Sequence, residues 1–306
     1  MSEELKRLAL PNGRTKYLFF GGKGGVGKTT LATTTAVWFA DHGYKTTIVS
    51  TDPTVSLSAM FDQRIGGEEA VPINHVSNLC GLNINPQDAK GVFKKRLNSL
   101  MGQIKDSFGS DGISTPCAEE MATFDQFVSF LEKPEGDVIV FDTAPTGKSL
   151  RELAMPFDWA GFMQKQIEEG QKFAGIMGMD ASSLEDLDRD KRRYDAALAV
   201  LRDRATSVFT LVLLAERLPI EETHSAVTGL DKLGIPVQAL VVNQRILPEV
   251  IEGNRFLAAR AKLQVKYQGE IDARFGDFVR TSLPLLDRDV SDLSTLRHVG
   301  ELLYGA

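Results

Sequence analysis

Apolar and polar residues alternate along this chain in blocks that predict an α/β fold. Short apolar runs with the length of buried strands recur between longer segments in which apolar residues follow helical spacing. We predict six strands from these runs, at Tyr17–Phe20, Thr46–Ser50, Asp137–Phe141, Ser207–Ala215, Val237–Val242 and Phe278–Thr281. Because helical patterns separate most of them, the strands are expected to form one parallel, twisted sheet flanked by helices on both faces.

Two intervals between the predicted strands are too long for simple crossover connections. They cover approximately residues 87–132 and 156–203. In the second interval Trp159, Phe162 and Met163 begin a series of apolar residues near helical spacing. We therefore expect a single domain over residues 1–306, into which these two intervals insert one α-helical lobe.

The most specific motif spans Gly22 to Thr29 and reads GKGGVGKT. It fits the phosphate-loop (P-loop) pattern G-x-x-x-x-G-K-[ST] and lies between an apolar strand and a helical pattern, as that motif requires. Glycines let backbone N–H groups converge on phosphate oxygens, and the helix start adds positive potential there. Lys28 is expected at the β- and γ-phosphates of a nucleoside triphosphate, and the Thr29 hydroxyl on Mg²⁺. The predicted nucleotide-binding residues of this loop are Gly22, Lys23, Gly24, Gly25, Val26, Gly27, Lys28, Thr29 and Thr30.

Two aspartates and one glycine that follow predicted strands are candidates for the chemistry. Asp142 ends an apolar run in the Walker B form, so its carboxylate is expected to reach Mg²⁺ through water. Gly147, in a turn shortly after it, is placed for its N–H to contact the γ-phosphate, as switch segments do. Asp52 is a candidate for orienting and deprotonating the attacking water. Asp142 is also compatible with an ordinary strand-end turn, and Ser-Thr-Asp-Pro around Asp52 is by itself a common helix-cap turn.

Lys23 stands directly after the first glycine of the loop, where the deviant Walker A subgroup of P-loop ATPases carries its signature lysine. A solvated loop lysine is the simpler alternative. Further segments resemble the family of ArsA and the tail-anchored-protein targeting ATPases, and their order and spacing carry the resemblance over nearly the whole chain. These segments are Ser50–Pro53, Ser56–Ser58, Asp142–Gly147, Arg217–Thr223, Val242–Gln244 and Pro284–Leu286.

The resemblance implies a Mg²⁺-dependent ATPase that works as a homodimer with two ATP molecules at its interface. It assigns catalytic roles to Lys28, to Lys23 reaching across to the partner's nucleotide, and to Asp52 acting on water. It places Asn243 at the adenine edge. The chain departs from the family in Thr54-Val55, where Ala-His is usual, and in Lys148, where histidine is usual. Both departures lie on segments that report nucleotide state, so coupling to the distal lobe is expected to differ.

Composition narrows the setting in which such an ATPase would work. The formal net charge is −6 and no basic stripe is evident, which argues against a nucleic-acid partner. The two cysteines, Cys80 and Cys117, exclude a disulfide framework and suit the cytoplasm. The N-terminus lacks the apolar core of a signal peptide, and no apolar run is long enough to span a bilayer. We expect a cytoplasmic protein that is peripheral at the membrane through a partner.

Two functions share this predicted ATPase. The first is arsenite or antimonite efflux through a membrane pump partner, with Cys117 as the metalloid ligand, because the segment Thr115–Phe127 resembles the ArsA stretch that holds such a cysteine. A lone cysteine is equally often a small buried residue. The second is targeting of a client's transmembrane helix, which the apolar stretch Trp159–Met179 would shield. That stretch also suits the core of the helical lobe. Cys80 is expected to be a buried strand residue.

Overall fold

The computed structural model describes residues 3–51, 57–66, 69–84, 125–143, 164 and 181–306, with the side chains of the last segment described from residue 188 onward. Its strands are β1 (Lys16–Gly22), β2 (Thr46–Ser50), β3 (Val71–Pro72), β4 (Leu79–Asn83), β5 (Val138–Asp142), β6 (Ser207–Leu214), β7 (Val237–Arg245) and β8 (Val279–Pro284). The helices in these residues are α1 (Glu3–Ala9), α2 (Lys28–Asp41), α3 (Leu57–Phe61), α4 (125–132), α5 (Ala181–Arg202), α6 (Arg217–Lys232), α7 (Arg255–Arg274) and α8 (Leu293–Tyr304). A short 3-10 turn covers Pro248–Val250.

The strands form one eight-stranded sheet in the order β3-β4-β2-β5-β1-β6-β7-β8. All neighbouring pairs are parallel except β3 with β4, which are antiparallel. The predicted parallel α/β sheet is therefore confirmed, and all six predicted strands lie in it. The pair β3 and β4 extends the sheet beyond those six.

The centre of the sheet is a continuous apolar core. Phe19 on β1 stacks on Phe141 of β5 and on Phe209 of β6, with ring centroids 4.8 Å and 4.3 Å apart. Strands β2 and β5 are buried at every position. Such near-continuous apolar strands are typical of parallel sheets, which are covered on both faces.

Helix α2 lies against the centre of the sheet and is fixed from the other side by the end of the chain. Trp38 donates its indole N–H to the carbonyl oxygen of Gly305, 2.8 Å away. The Thr35 and Tyr304 hydroxyls form a buried hydrogen bond of 2.9 Å, and burial raises the pKa of Tyr304. The second half of the helix behind the P-loop is therefore anchored by the end of α8 and the residue after it.

Cys80 lies on β4, between Leu79 and Gly81 in a register that pairs it with Thr47 of β2. The strand assignment is confirmed, but Cys80 is half-buried rather than buried. Burial, followed by the nearby Glu135 carboxylate, raises the pKa of its thiol. A raised pKa favours the protonated thiol over the thiolate, which is the form that binds metals.

The chain separates into two compact units. One consists of Met1–Asn83, Glu135–Leu150 and Arg204–Ala306, and contains the sheet; the other consists of Ile84–Pro134 and Arg151–Asp203. The intervals 87–132 and 156–203 fall within the second unit. Within that unit Arg193 of α5 pairs with Asp125 and Glu132 of α4, and Tyr194 donates a 3.0 Å hydrogen bond to Asp125. Cys117 and the stretch Trp159–Met179 lie outside the described residues.

Candidate nucleotide site

The P-loop connects β1 to α2 at the carboxyl edge of the sheet. Gly27 has φ +98° and immediately precedes α2, so the helix begins without a side-chain cap. The first N–H groups of a helix have no partner within it, and here they face the loop. Gly22 has φ +147°, and a Cβ at this position would overlap the carbonyl oxygen of Val212. Both positions therefore require glycine, and the loop has the geometry of a phosphate cradle.

Lys28 is the first residue of α2, and its side chain folds back over the loop. The Lys28 residue is only 5% exposed, and its Nζ donates to the carbonyl oxygen of Lys23 at 3.2 Å. Its charge is thus concentrated above the cradle, where a phosphate would be neutralised.

Thr29 and Asp142 meet beside this cradle. The Thr29 hydroxyl donates a 2.8 Å hydrogen bond to Oδ2 of Asp142, and the Ser50 hydroxyl donates to the same oxygen at 3.3 Å. Parallel strand pairing explains these contacts with Asp142, because Asp142 is in register with Phe20 of β1 and with Ser50 of β2. Hydroxyl and carboxylate oxygens are the ligands that Mg²⁺ prefers. The donor set on this side of the loop therefore fits Mg²⁺.

Asn243 on β7 braces the loop from the opposite side. Its Nδ2 donates to the carbonyl oxygen of Val26 at 2.9 Å, and its Oδ1 accepts from the N–H of Gln244. These two bonds leave the amide one hydrogen and one lone pair for a ligand. Gln244 itself has φ +57°, an uncommon conformation for a residue other than glycine.

A cavity of about 450 Å³ opens next to Asn243. It lies between the start of α2, at Thr30 and Leu31, and the segment from Leu283 to Val290, which covers the end of β8 and the residues after it. Its volume is in the range of small-molecule sites. A nucleoside attached to phosphates in the loop would lie here.

Asp52 and Gly147 are the remaining predicted site residues. The segments that contain them begin beside the P-loop, at the ends of β2 and β5. Thr51 follows β2, and its N–H donates to the carbonyl oxygen of Asp142 at 3.0 Å. Thr143 follows β5 and donates its hydroxyl to the carbonyl oxygen of Phe20 at 2.8 Å. Asp52 directly follows Thr51, and Gly147 lies four residues beyond Thr143; both lie outside the described residues.

The sequence analysis assigned no function to two side chains that lie at this edge of the sheet. Ser50 contacts the Asp142 carboxylate, and Glu222 on α6 forms an ion pair with Lys23, with Nζ and Oε1 3.0 Å apart. Both residues belong to segments that carry the family resemblance, which was the one available signal. Among the described residues no group of three or more histidine, cysteine or acidic side chains could hold a metal ion.

The sheet, the loop and the Thr29–Asp142 contact define a P-loop nucleotide-binding protein. The chain belongs to the ArsA family of anion-transporting ATPases, whose sequence profile matches residues 15–305. Family membership implies nucleotide binding and ATP hydrolysis. No helix within the described segments is long and apolar enough to cross a membrane.

Relatives of two kinds are similar to this chain. The arsenical pump-driving ATPase of Escherichia coli is 35% identical over 79% of this chain, which covers 41% of that protein. A Halobacterium salinarum protein, provisionally named an arsenical pump-driving ATPase, is 34% identical over the whole chain and 46% of its own length. An ASNA1-homologous ATPase of Paramecium tetraurelia is 32% identical over 99% of this chain and 97% of its own length. The chain thus spans half or less of the length of these two arsenical pump-driving ATPases.

Proposed function

We propose that this protein is a Mg²⁺-dependent, homodimeric ATPase that drives efflux of arsenite or antimonite through a membrane pump partner. The contact between Thr29 and Asp142 beside the P-loop is the observation that carries the ATPase part. It joins the two oxygen ligands expected of a Mg²⁺–nucleotide site in one chain. The efflux part is supported by the name of the Escherichia coli relative and by the resemblance of the segment around Cys117.

Different residues in and beside the loop would bind the phosphates, hold Mg²⁺ and activate the attacking water. The backbone from Gly24 to Gly27 would hold the phosphates, and the Lys28 ammonium would neutralise them. Thr29 and Asp142 would hold Mg²⁺, which supplies positive charge to the phosphate oxygens when bound. Asp52 would orient and deprotonate the attacking water. The chemistry would thus be divided between one loop and two strand ends.

Asn243 and its cavity would bind the base. The amide hydrogen and lone pair that Asn243 retains form an adjacent donor and acceptor, which complements the N6 and N7 edge of adenine. Because the same amide holds the carbonyl oxygen of Val26, base binding and loop geometry would depend on one side chain. This arrangement supports ATP as the nucleotide.

A homodimer would complete the site. Lys28 already covers the cradle of its own subunit, and Lys23 would serve the partner's nucleotide. Closing the dimer would bring Lys23 and Gly147 to the γ-phosphate, which only ATP offers. ATP therefore would favour the closed dimer over the open one by its differential affinity for the two states.

A second candidate function is the targeting of a client with one transmembrane helix. It is supported by relatives named as ASNA1 and GET3 ATPases: this chain is 32% identical to the Paramecium relative over 99% of its residues, and 32% identical to GET3C from Arabidopsis thaliana over 94%. The apolar stretch Trp159–Met179 would supply the client-binding surface.

Metalloid response separates the two candidates. ATPase rates would be measured against arsenite and antimonite for the wild type, Cys117→Ala and the control Cys80→Ala. We expect stimulation in the wild type and in Cys80→Ala, with antimonite the stronger activator, and none in Cys117→Ala. A rate that does not respond to metalloid in the wild type would contradict efflux. Co-purification of a single-span membrane client, lost on polar substitution of Phe162 and Met163, would then support targeting.

A further inference from the structure

The ammonium of Lys23 lies against a carboxylate of its own subunit. Lys23 Nζ and Glu222 Oε1 are 3.0 Å apart, and the two side chains are 38% and 40% exposed. Lys23 belongs to the loop between β1 and α2, whereas Glu222 lies in the second turn of α6. The pair therefore joins the P-loop to a helix on the same edge of the sheet.

The position of Glu222 is fixed by the anchoring of α6. Glu216, which precedes the helix, pairs with Arg260 of α7, and Glu221 pairs with Arg274 at the end of α7. Pro219 and Ile220 are buried between these pairs. Glu222 is thus presented to the P-loop by a helix whose first turns are paired with α7 immediately before it.

The backbone of Lys23 is tied to the phosphate site as well. Its carbonyl oxygen accepts the hydrogen bond from Lys28 Nζ at 3.2 Å. The main chain of Lys23 thus contacts the Lys28 ammonium, while its side chain pairs with Glu222. One residue therefore connects the phosphate cradle with α6.

We propose that Glu222 is a positioning residue that holds Lys23 within its own subunit, as a latch that opens when the dimer closes on ATP. This proposal rests on the proposed dimeric function of Lys23. Closure exchanges one partner of the ammonium for another, because Lys23 must leave Glu222 to reach the partner's nucleotide. A triphosphate carries several negative charges, so it outcompetes a single exposed carboxylate.

The latch raises the ATP concentration at which the dimer closes without changing the chemical step. Exposed ion pairs are weak and are screened by salt. Removing the carboxylate is therefore expected to lower the ATP concentration for half-maximal closure by about two- to fivefold. The turnover number of the closed dimer is expected to stay the same, since Glu222 acts only through Lys23.

Four variants test the latch: Glu222→Gln, Lys23→Ala, the double variant, and Glu221→Gln as the matched control. Glu221 precedes Glu222 on the same helix but pairs with Arg274 instead of the P-loop. Light scattering at increasing ATP concentration would report dimer closure, and steady-state kinetics would give KM and kcat. Both would be repeated at low and high salt.

For Glu222→Gln we expect a lower KM for ATP and closure at lower ATP, with kcat unchanged. The difference from the wild type should shrink at high salt, and Glu221→Gln should behave as the wild type. The double variant should match Lys23→Ala. If Glu222→Gln still changed the ATP concentration for closure in the absence of Lys23, the latch would be overturned, as it would by a Glu222→Gln protein with wild-type closure.

A different result would contradict the proposed dimeric function. A Lys23→Ala protein that is monomeric and fully active would overturn the dimer mechanism together with the latch. A Lys23→Ala protein that is inactive, beside a Glu222→Gln protein identical to the wild type, would overturn the latch alone.

Discussion

Thr29 and Asp142 are 113 positions apart in the sequence, yet the Thr29 hydroxyl donates a 2.8 Å hydrogen bond to the Asp142 carboxylate. The bond joins the first turn of α2 to the end of β5. Asp142 is fully buried, so its carboxylate keeps the position that the strand gives it. The charge and the hydroxyl are thus held together before any ligand arrives, which is the preorganisation that favours catalysis.

Replacing Asp142 by asparagine tests this pair. Asparagine keeps the shape but loses the charge that would attract Mg²⁺, so we expect ATP hydrolysis to fall by about 100-fold or more. The Mg²⁺ concentration for half-maximal rate should rise. Thr29→Ser is the matched control, because it keeps the hydroxyl and should keep most of the activity. A wild-type Mg²⁺ titration of Asp142→Asn would contradict the assignment.

Lys28→Ala and Asp52→Asn are both expected to abolish turnover, for different reasons. Loss of the Lys28 ammonium removes phosphate neutralisation and should weaken ATP binding. Asp52→Asn should bind ATP with nearly wild-type affinity while kcat falls by orders of magnitude, as expected when a water-activating group is lost. Equilibrium binding of ATP and single-turnover hydrolysis separate these effects. Wild-type hydrolysis by Asp52→Asn would remove its proposed role.

Gly27→Ala tests the packing of the loop against Asn243. Gly27 has φ +98°, and a Cβ there would overlap the side-chain nitrogen of Asn243. Gly43 is the matched control, because its φ is +87° and a Cβ would meet nothing within 4 Å.

Both substitutions should cost about 1 kcal/mol of unfolding free energy from backbone strain, and Gly27→Ala about 1–3 kcal/mol more from the overlap. Urea unfolding would measure this difference. Equal losses in the two variants would show that Asn243 moves aside without cost.

Asp292 gives a pH-dependent contribution to stability. It caps α8 by accepting hydrogen bonds from the N–H of Thr295 and the Ser294 hydroxyl. These bonds, that of Ser294 first, lower the pKa of Asp292 from 3.8 to about 2. A carboxylate with a lowered pKa in the folded state stabilises the fold above its unfolded pKa, and this contribution is lost as the pH falls toward the folded pKa.

We therefore expect the wild type to lose its stability advantage over Asp292→Asn as the pH falls through the window from about 4 to about 2. Asparagine is the matched variant, because it retains a cap but does not titrate. Thermal unfolding of both proteins across this window would show the two midpoints converging. A constant difference would mean that the cap does not depend on the charge.

Local sequence patterns were sufficient to predict most of the strands and the P-loop. A buried parallel strand is a largely apolar run, so β1, β2 and β5–β7 could be predicted from their residue types; β8, also predicted, is only partly buried. Their ends could not, since hydrogen bonding to neighbours extends β7 to Arg245 and β8 to Pro284. β3 was not predicted, because Val71–Pro72 is too short for a pattern. β4 was expected only as a strand around Cys80 and was not among the six strands of the predicted sheet, since Leu79–Asn83 contains Gly81.

The sequence by itself determined the P-loop, because its glycines, Lys28 and Thr29 lie within one continuous turn whose conformation is set by local residue types. It also placed Asp142 and Asn243 at strand ends. Only the tertiary structure decided which of these residues come into contact, since sheet order and register bring Asp142 to Thr29 and Asn243 to Val26.

The Lys23–Glu222 pair depends on how α6 lies beside the loop, and no spacing in the sequence encodes that distance.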